Sequence, residues 1–314
     1  MAAGGVRTVP RGTTLVATEV ATDPVATPLD YWRLLKPNVM QLVVFTGAVG
    51  LYLAPGAVHP LLAFVAVLAI ALGAGACAAI NNAYDADIDR CMRRTRGRPT
   101  ATGRIPPAEA LGTGIALALI AVMLMGLALN WLAAGLLAFT ILFYLLVYTL
   151  FLKRRTPQNI VIGGVAGALP PLIGWTAVTG EVGLLPLLLF LIVFLWTPPH
   201  FWSLALYRNE DYRRAAVPML PVVAGRRTTL RHIFGYAAAV SVAGLLPVAL
   251  GLAGWLYGAV ALGAGAAFTA IAWRLLRTDS DEVARRSFRL SILYLFLIFL
   301  GLVLDHALLR ALGS

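Results

Sequence analysis

Nine stretches of about 20 mostly apolar residues divide this chain, at about 36–54, 61–82, 108–128, 131–151, 159–178, 184–206, 232–252, 255–273 and 289–308. Each is long enough for an α-helix to cross the roughly 30 Å hydrocarbon core of a bilayer. Backbone amides and carbonyls find no water there, so only helices or a closed barrel can span it. Apolar runs this long read as helices. Hydrophobic residues fill 60% of the 314 positions and charged residues 12%, against roughly 25% charged in a soluble domain. The chain therefore reads as an all-α polytopic membrane protein whose core is the bundle of its own spans.

Span five carries GGVAGALPP and span six TPPH. An interior proline removes a helix hydrogen bond, so both spans are expected to kink. In a membrane such breaks survive where the backbone faces protein or a wet cavity. Spans five and six are thus expected to line something.

The net charge of +11 would point a soluble chain towards nucleic acid, but its distribution argues otherwise. With nine spans, the N-terminal segment and the loops after each even-numbered span fall on one side. That side collects Arg7, Arg11, Arg33 and Lys36, then Arg90 to Arg104, Lys153 to Arg155, Arg208 to Arg231, and Arg274 to Arg289. It holds 24 of the 25 lysines and arginines, and only Arg310 falls opposite. The positive-inside rule places this side, with the N-terminus, in the cytoplasm and the C-terminus outside. Residues 1–30 lack a clean apolar segment of signal-peptide type and read as a flexible cytoplasmic tail, leaving 31–314 as the membrane domain. Cys77 falls inside span two and Cys91 on the basic side, so a structural disulfide is not expected and both read as packing residues.

Span two ends in NNAYDADIDRCMRRTRGRP (81–99). If the helix continues through this stretch, Asn81, Asp85 and Asp89 follow each other at about 40° and form one stripe, while Asp87 points away. Carboxylates stacked this way repel, and more strongly in a low-dielectric cleft, so the stripe calls for a cation. A few oxygen ligands suit Mg²⁺, which keeps some waters and completes its shell from phosphate. Arg93, Arg94, Arg96 and Arg98 follow, and arginine grips phosphate oxygens in bidentate fashion. The plainer reading is a solvated span end with a topological basic loop. It accounts for the aspartates and some arginines, but not for Asn81 at membrane depth.

A second polar end lies about 120 residues on, in TPPHFWSLALYRNEDYRRAAVPMLPVVAG (197–225). Asn209, Glu210 and Asp211 sit there beside Arg208, Arg213 and Arg214. Two facing acidic sites could hold two metals around one diphosphate. His200, next to Pro198–Pro199, is either a packing residue or a functional one.

The N-x₃-D-x₃-D signature at a membrane helix end resembles that of the UbiA-like intramembrane prenyltransferases. Three stretches are similar to its heme-farnesylating branch in particular: residues 81–99, YTLFLKRRTPQNIVIGGVAGALPPLIGW (148–175), and 197–225. DYWRLLKPNVMQLVVFTGAVG (30–50) fits the family's first span, and the resemblance covers about residues 30–305. It implies nine transmembrane helices around a central cavity capped by cytoplasmic loops, with the chain in the cell inner membrane. It implies heme B and farnesyl diphosphate as substrates, heme O and diphosphate as products, and Mg²⁺ as cofactor. Asn81, Asp85 and Asp89 match the first acidic motif. Asp211 best matches the second, which is usually richer in aspartate than Asn209-Glu210-Asp211 is here. Lys153 and Arg154 match the basic end of span four, and Arg33 and Lys36 the start of span one. Arg93, Arg94, Arg98 and Lys153 would assist diphosphate departure, the arginines could instead pair with heme propionates, and His200 could ligate or orient heme. Heme A synthase or oxidase-assembly proteins would be partners.

Two rivals stand beside this reading. One is a prenyltransferase for a quinone-precursor ring or a chlorin. The other is a transporter with broken helices, which the clustering of charge at one face disfavours. The far side offers little beyond Glu181, Asp305, His306 and Arg310.

Overall fold

A computed structural model describes residues 25–312, and every regular element in that range is helical. In chain order these are α1 (Pro28–Leu34), α2 (Pro37–Leu53), α3 (Pro60–Tyr84), α4 (Ala86–Cys91), α5 (Pro107–Ala128) and α6 (Trp131–Leu142). Next come a π-helical stretch (Phe143–Leu152), α7 (Asn159–Ala168), α8 (Pro170–Thr179), α9 (Leu184–Tyr207) and α10 (Asn209–Arg214). The chain closes with α11 (Leu220–Val223), α12 (Gly225–Ala243), α13 (Leu246–Ala249), α14 (Trp255–Thr278) and α15 (Asp281–Ala311). Eight spans are long and apolar enough to cross a membrane, and the bent pair α1–α2 makes a ninth when taken as one span. Arg7 and Arg11, and most of the expected N-terminal tail, lie outside the described residues.

Proline explains most departures from straight helices. Lys36 precedes Pro37, which disfavours the α region for the residue before it. It adopts φ 54°, ψ 58°, and the α1–α2 pair bends by 55° there. Span five breaks at Leu169, because Pro170 offers no amide to the preceding turn. Span six is different: α9 stays one helix through Pro198 and Pro199, both buried, where Thr197 donates its hydroxyl to the Val193 carbonyl at 2.8 Å. Helix ends differ from the sequence expectation where arginines were read as loop. The seventh span starts at Gly225 rather than 232, and α15 starts at Asp281 rather than 289. Arginine is a good helix former, and its long stem lets a helix run on past the apolar zone. The first helix likewise begins at Pro28. Cys77 is partly buried, as expected of a packing residue, whereas Cys91 is exposed.

Each span packs against its sequence neighbours, and α15 returns to α2, so the series closes on itself. Two further crossings, α2 on α8 and α9 on α15, tie the ring across. Spans five and six are 67% and 56% buried, against 22–39% for the other long spans, so these two form the inner wall. Lipid is as apolar as leucine, so close packing rather than hydrophobicity drives these contacts. The α2–α8 crossing shows how. A Cβ on Gly50 would lie 2.0 Å from the Pro171 carbonyl oxygen, and one on Gly174 would lie 2.0 Å from that of Gly47. Gly163 likewise leaves room for the Tyr148 ring within the bundle.

The loops joining spans two to three, four to five, six to seven and eight to nine meet at one end, with α1. Arg104 pairs with Asp30 at 3.1 Å, Arg154 with Asp87 at 2.8 Å, and Arg226 with Asp279 and Asp281 at 2.8 and 2.9 Å. At the other end Asp305 accepts from the amides of Gly254 and Tyr257 at 2.6 and 3.1 Å, and Arg310 lies over the Tyr52 ring.

Gly174→Ala should therefore force the two backbones apart, at roughly 1–3 kcal/mol of overpacking. Gly167, with no atom within 4 Å of an added Cβ, is the control. Thermal melts of purified protein should show a lowered Tm for Gly174→Ala and none for Gly167→Ala.

Candidate active site

At the basic end, α3 runs to Tyr84, Asp85 forms a short break, and α4 continues the path. The break is shallow. The Asp85 amide still donates to the Asn81 carbonyl at 2.9 Å, and the Asp89 amide to that of Asp85 at 2.8 Å. The four-residue spacing therefore keeps Asn81, Asp85 and Asp89 on one side, and they are 3%, 0% and 2% exposed. Asp87 points out as expected, with its side chain 64% exposed.

A buried carboxylate costs far more than a solvated one unless it is paired, and each of these is. Lys36 donates to Asn81 Oδ1 at 2.6 Å, and Asn81 Nδ2 donates to Asp85 Oδ2 at 2.7 Å. Lys153 donates to the same Asp85 oxygen. Arg98 grips both oxygens of Asp89, at 2.9 and 2.7 Å. The cations that the acidic stripe calls for are thus supplied, in this structure, by the chain itself.

Local structure aims these groups. The left-handed backbone at Lys36 turns α1 away from α2 beside Asn81, and Asn82, fully buried, donates to the Leu34 carbonyl at 2.8 Å. The π-helical end of span four places Thr149 3.4 Å from Asn81 Nδ2 and leads into Lys153. Such stretches recur at functional sites because they re-aim side chains within a helix. Asn159, also buried, donates to the Lys153 carbonyl at 3.3 Å.

The other expected residues divide. Asp211, 6% exposed, approaches the Arg93 amide at 3.5 Å, which brings the second polar end against the first. Asn209 presents a buried Oδ1 with no hydrogen-bond partner. The side chains of Arg93, Arg94 and Arg96 are exposed above this junction. Arg154 is turned to Asp87, with both nitrogens at 2.8 Å, and stacks over Tyr84. That pairing holds the Asp87 carboxyl below the usual carboxylate range, so it persists at neutral pH and is lost only in acid. Arg33 is exposed and joins no site contact. His200 sits inside the bundle, stacked between Trp196 and Phe288, with Nδ1 2.7 Å from Ser291 Oγ.

The fit to a divalent cation rests on unsatisfied oxygens. Asp85 Oδ1 is buried without a hydrogen bond, 3.9 Å from Arg154, and Asn209 Oδ1 is likewise orphaned. Both are hard oxygen donors of the kind Mg²⁺ takes. Among the described residues no three acidic, histidine or cysteine side chains converge on one point. Asp85, Asp89 and Asp211 are each engaged by a different partner, Lys153, Arg98 and the Arg93 amide. A metal held here would need additional oxygens from a substrate.

Sequence reasoning missed Asn82, Thr149, Asn159 and Ser291. Asn82 stood next to Asn81 and carried a signal. A lone threonine in an apolar run, and a serine a span away, carried none.

Buried acids interlocked with lysines and arginines thus gather at one end of a bundle of membrane-length helices. The model of the UbiA prenyltransferase family matches residues 43–301, and the chain belongs to that family. It is 57% identical to protoheme IX farnesyltransferase of Acidiphilium cryptum, over 90% of this chain and 92% of that one. It is 54% identical to protoheme IX farnesyltransferase of Paracoccus denitrificans, over 88% and 93%. Solved structures share the fold. A digeranylgeranylglyceryl phosphate synthase superposes with a TM-score of 0.73 at 20% identity, covering 88% of this chain and 97% of that one. A UbiA homologue from Archaeoglobus fulgidus bound to DMAPP and Mg²⁺ superposes at 0.64 and 18%, covering 87% and 99%.

Removing one partner of a buried pair leaves its charge stranded, at a cost of about 3 kcal/mol or more. Lys153→Met should lower thermal stability strongly, and adding Asp85→Asn should recover most of it without restoring activity. Asp87→Asn, in an exposed pair worth at most about 1 kcal/mol, should keep near-wild-type turnover. Melting and turnover of the four proteins check this.

Proposed function

We propose that this protein transfers the farnesyl group of farnesyl diphosphate to a vinyl group of heme B, giving heme O and diphosphate, with Mg²⁺ as cofactor. The basic face, and with it the N-terminus, lies in the cytoplasm of a cell inner membrane, and the C-terminus lies on the opposite side. The observation that carries this reading is the buried chain Lys36–Asn81–Asp85–Lys153 at the end of span two. The names of relatives above 50% identity over nearly the whole chain support the choice of heme as acceptor.

Asn81, Asp85, Asp89 and Asp211, with Asn209 beside them, offer the oxygens that would hold Mg²⁺. When bound, the ion supplies charge that offsets what develops on the departing diphosphate. Lys153 and Arg98 hold the acids in the free protein, Lys36 holds Asn81, and all three can turn to phosphate oxygens when substrate arrives. Arg93 and Arg94, exposed just above, extend that grip. Their effect is electrostatic and aimed at the leaving group. The C1–O bond breaks with its electron pair going to diphosphate. The vinyl π pair forms the new bond to C1. The positive charge left beside the porphyrin is quenched by a water that loses a proton. The apolar spans keep other water from C1 until then.

Membranes from cells with and without the protein should differ in extracted heme, with heme O present only in the first. Asp85→Ala and Asp89→Ala should lower that product by roughly 100-fold or more while the protein still inserts. Prenylation of a quinone-precursor ring or a chlorin in place of heme, under the same assay, would overturn the acceptor assignment.

A further inference from the structure

Spans six and nine meet along a polar seam that diphosphate departure leaves unused. His200 and Ser203 on α9 face Ser291 and Ser287 on α15, at 2.7 and 3.2 Å. Ser291 Oγ also lies 2.6 Å from the Phe288 carbonyl oxygen. A carbonyl oxygen has no hydrogen, so an O···O approach this short needs the serine proton between the two. Serine has only one proton. With that proton given to Phe288, its oxygen can only accept from His200. Nδ1 therefore carries the imidazole proton, and the lone pair stays on Nε2.

The surroundings hold this arrangement. The Trp196 indole donates to the Ser291 carbonyl at 2.6 Å. Trp196 and Phe288 cover the two imidazole faces, with ring centroids at 4.2 and 4.6 Å. His200 is nonetheless 8% exposed. Phe201 meets the ring edge-on at 5.1 Å, and Nε2 makes no hydrogen bond yet is not among the fully buried unpartnered atoms. A histidine whose Nδ1–H is tied down and whose Nε2 is open is the usual form of a metal ligand.

We propose that Ser291 is a positioning residue that fixes His200 in the Nδ1–H form, so that Nε2 ligates the iron of a heme substrate. This rests on the heme reading of the function. It assigns the acceptor's iron to the span six–span nine seam, apart from the diphosphate end.

The test uses the full chain in lipid nanodiscs, titrated with hemin and followed by the Soret band and low-spin ferric resonance. Wild type should bind with a histidine-ligated signature. Ser291→Ala should weaken binding about 10- to 100-fold, and Ser291→Thr, which can bond back to the same carbonyl, should restore it. His200→Gly should lose the signature and regain it with added imidazole. Wild-type affinity in Ser291→Ala, or an unchanged signature in His200→Gly, overturns the proposal. Should Ser291→Ala fail to fold, ¹⁵N resonances of the wild-type histidines read the tautomer directly, and a His200 protonated at Nε2 overturns it equally. Hemin ligated by His200 with no farnesyl transfer would sink the proposed reaction and leave this assignment standing. Transfer without histidine ligation would do the reverse.

Discussion

Burying a carboxylate at the end of a greasy helix is the constraint around which this molecule is arranged. Asp85 is fully enclosed and cannot stay charged there without a partner. The chain supplies Lys153 on one side and, relayed through the Asn81 amide, Lys36 on the other. These three groups come from spans one, two and the end of span four. The interaction that neutralises the charge therefore also fixes how those spans meet. The strained backbone at Lys36 and the π-helical end of span four are the local means.

The same pairing explains how a resting site can be both stable and receptive. A lysine on a buried aspartate is satisfied, but one oxygen of that aspartate has no hydrogen bond. In the proposed reaction an incoming metal–diphosphate would offer cation to the acids and anion to the lysines at once. The exchange conserves charge pairing instead of creating stranded charges.

Much of this was legible in the sequence. Apolar run length gave the membrane-length helices, eight of them or nine with the bent α1–α2 pair, because it reflects how residues partition between lipid and water. The spacing of Asn81, Asp85 and Asp89 gave one face, because helix geometry is periodic. Pro170 marked the break in span five. Other features were hidden. Helix ends at Gly225 and Asp281 were masked by arginines that helices tolerate. Pro198 and Pro199 did not break α9. Which side chains pair with the acids was hidden too, since pairing of Asp85 with Lys153 or Asp89 with Arg98 depends on tertiary proximity that no period encodes. Thr149 and Ser291 act through contacts made across the bundle, and their own neighbours in sequence say nothing of it.

The central claim is that the oxygens at the end of span two engage a metal–diphosphate. Calorimetric titration of the purified protein with a non-reactive farnesyl thiodiphosphate tests it most directly, with and without Mg²⁺. The account predicts binding that depends on Mg²⁺ in the wild type and loses that dependence in Asp85→Asn. Equal affinity with and without the metal, or an Asp85→Asn protein that keeps the wild-type response to it, would contradict it.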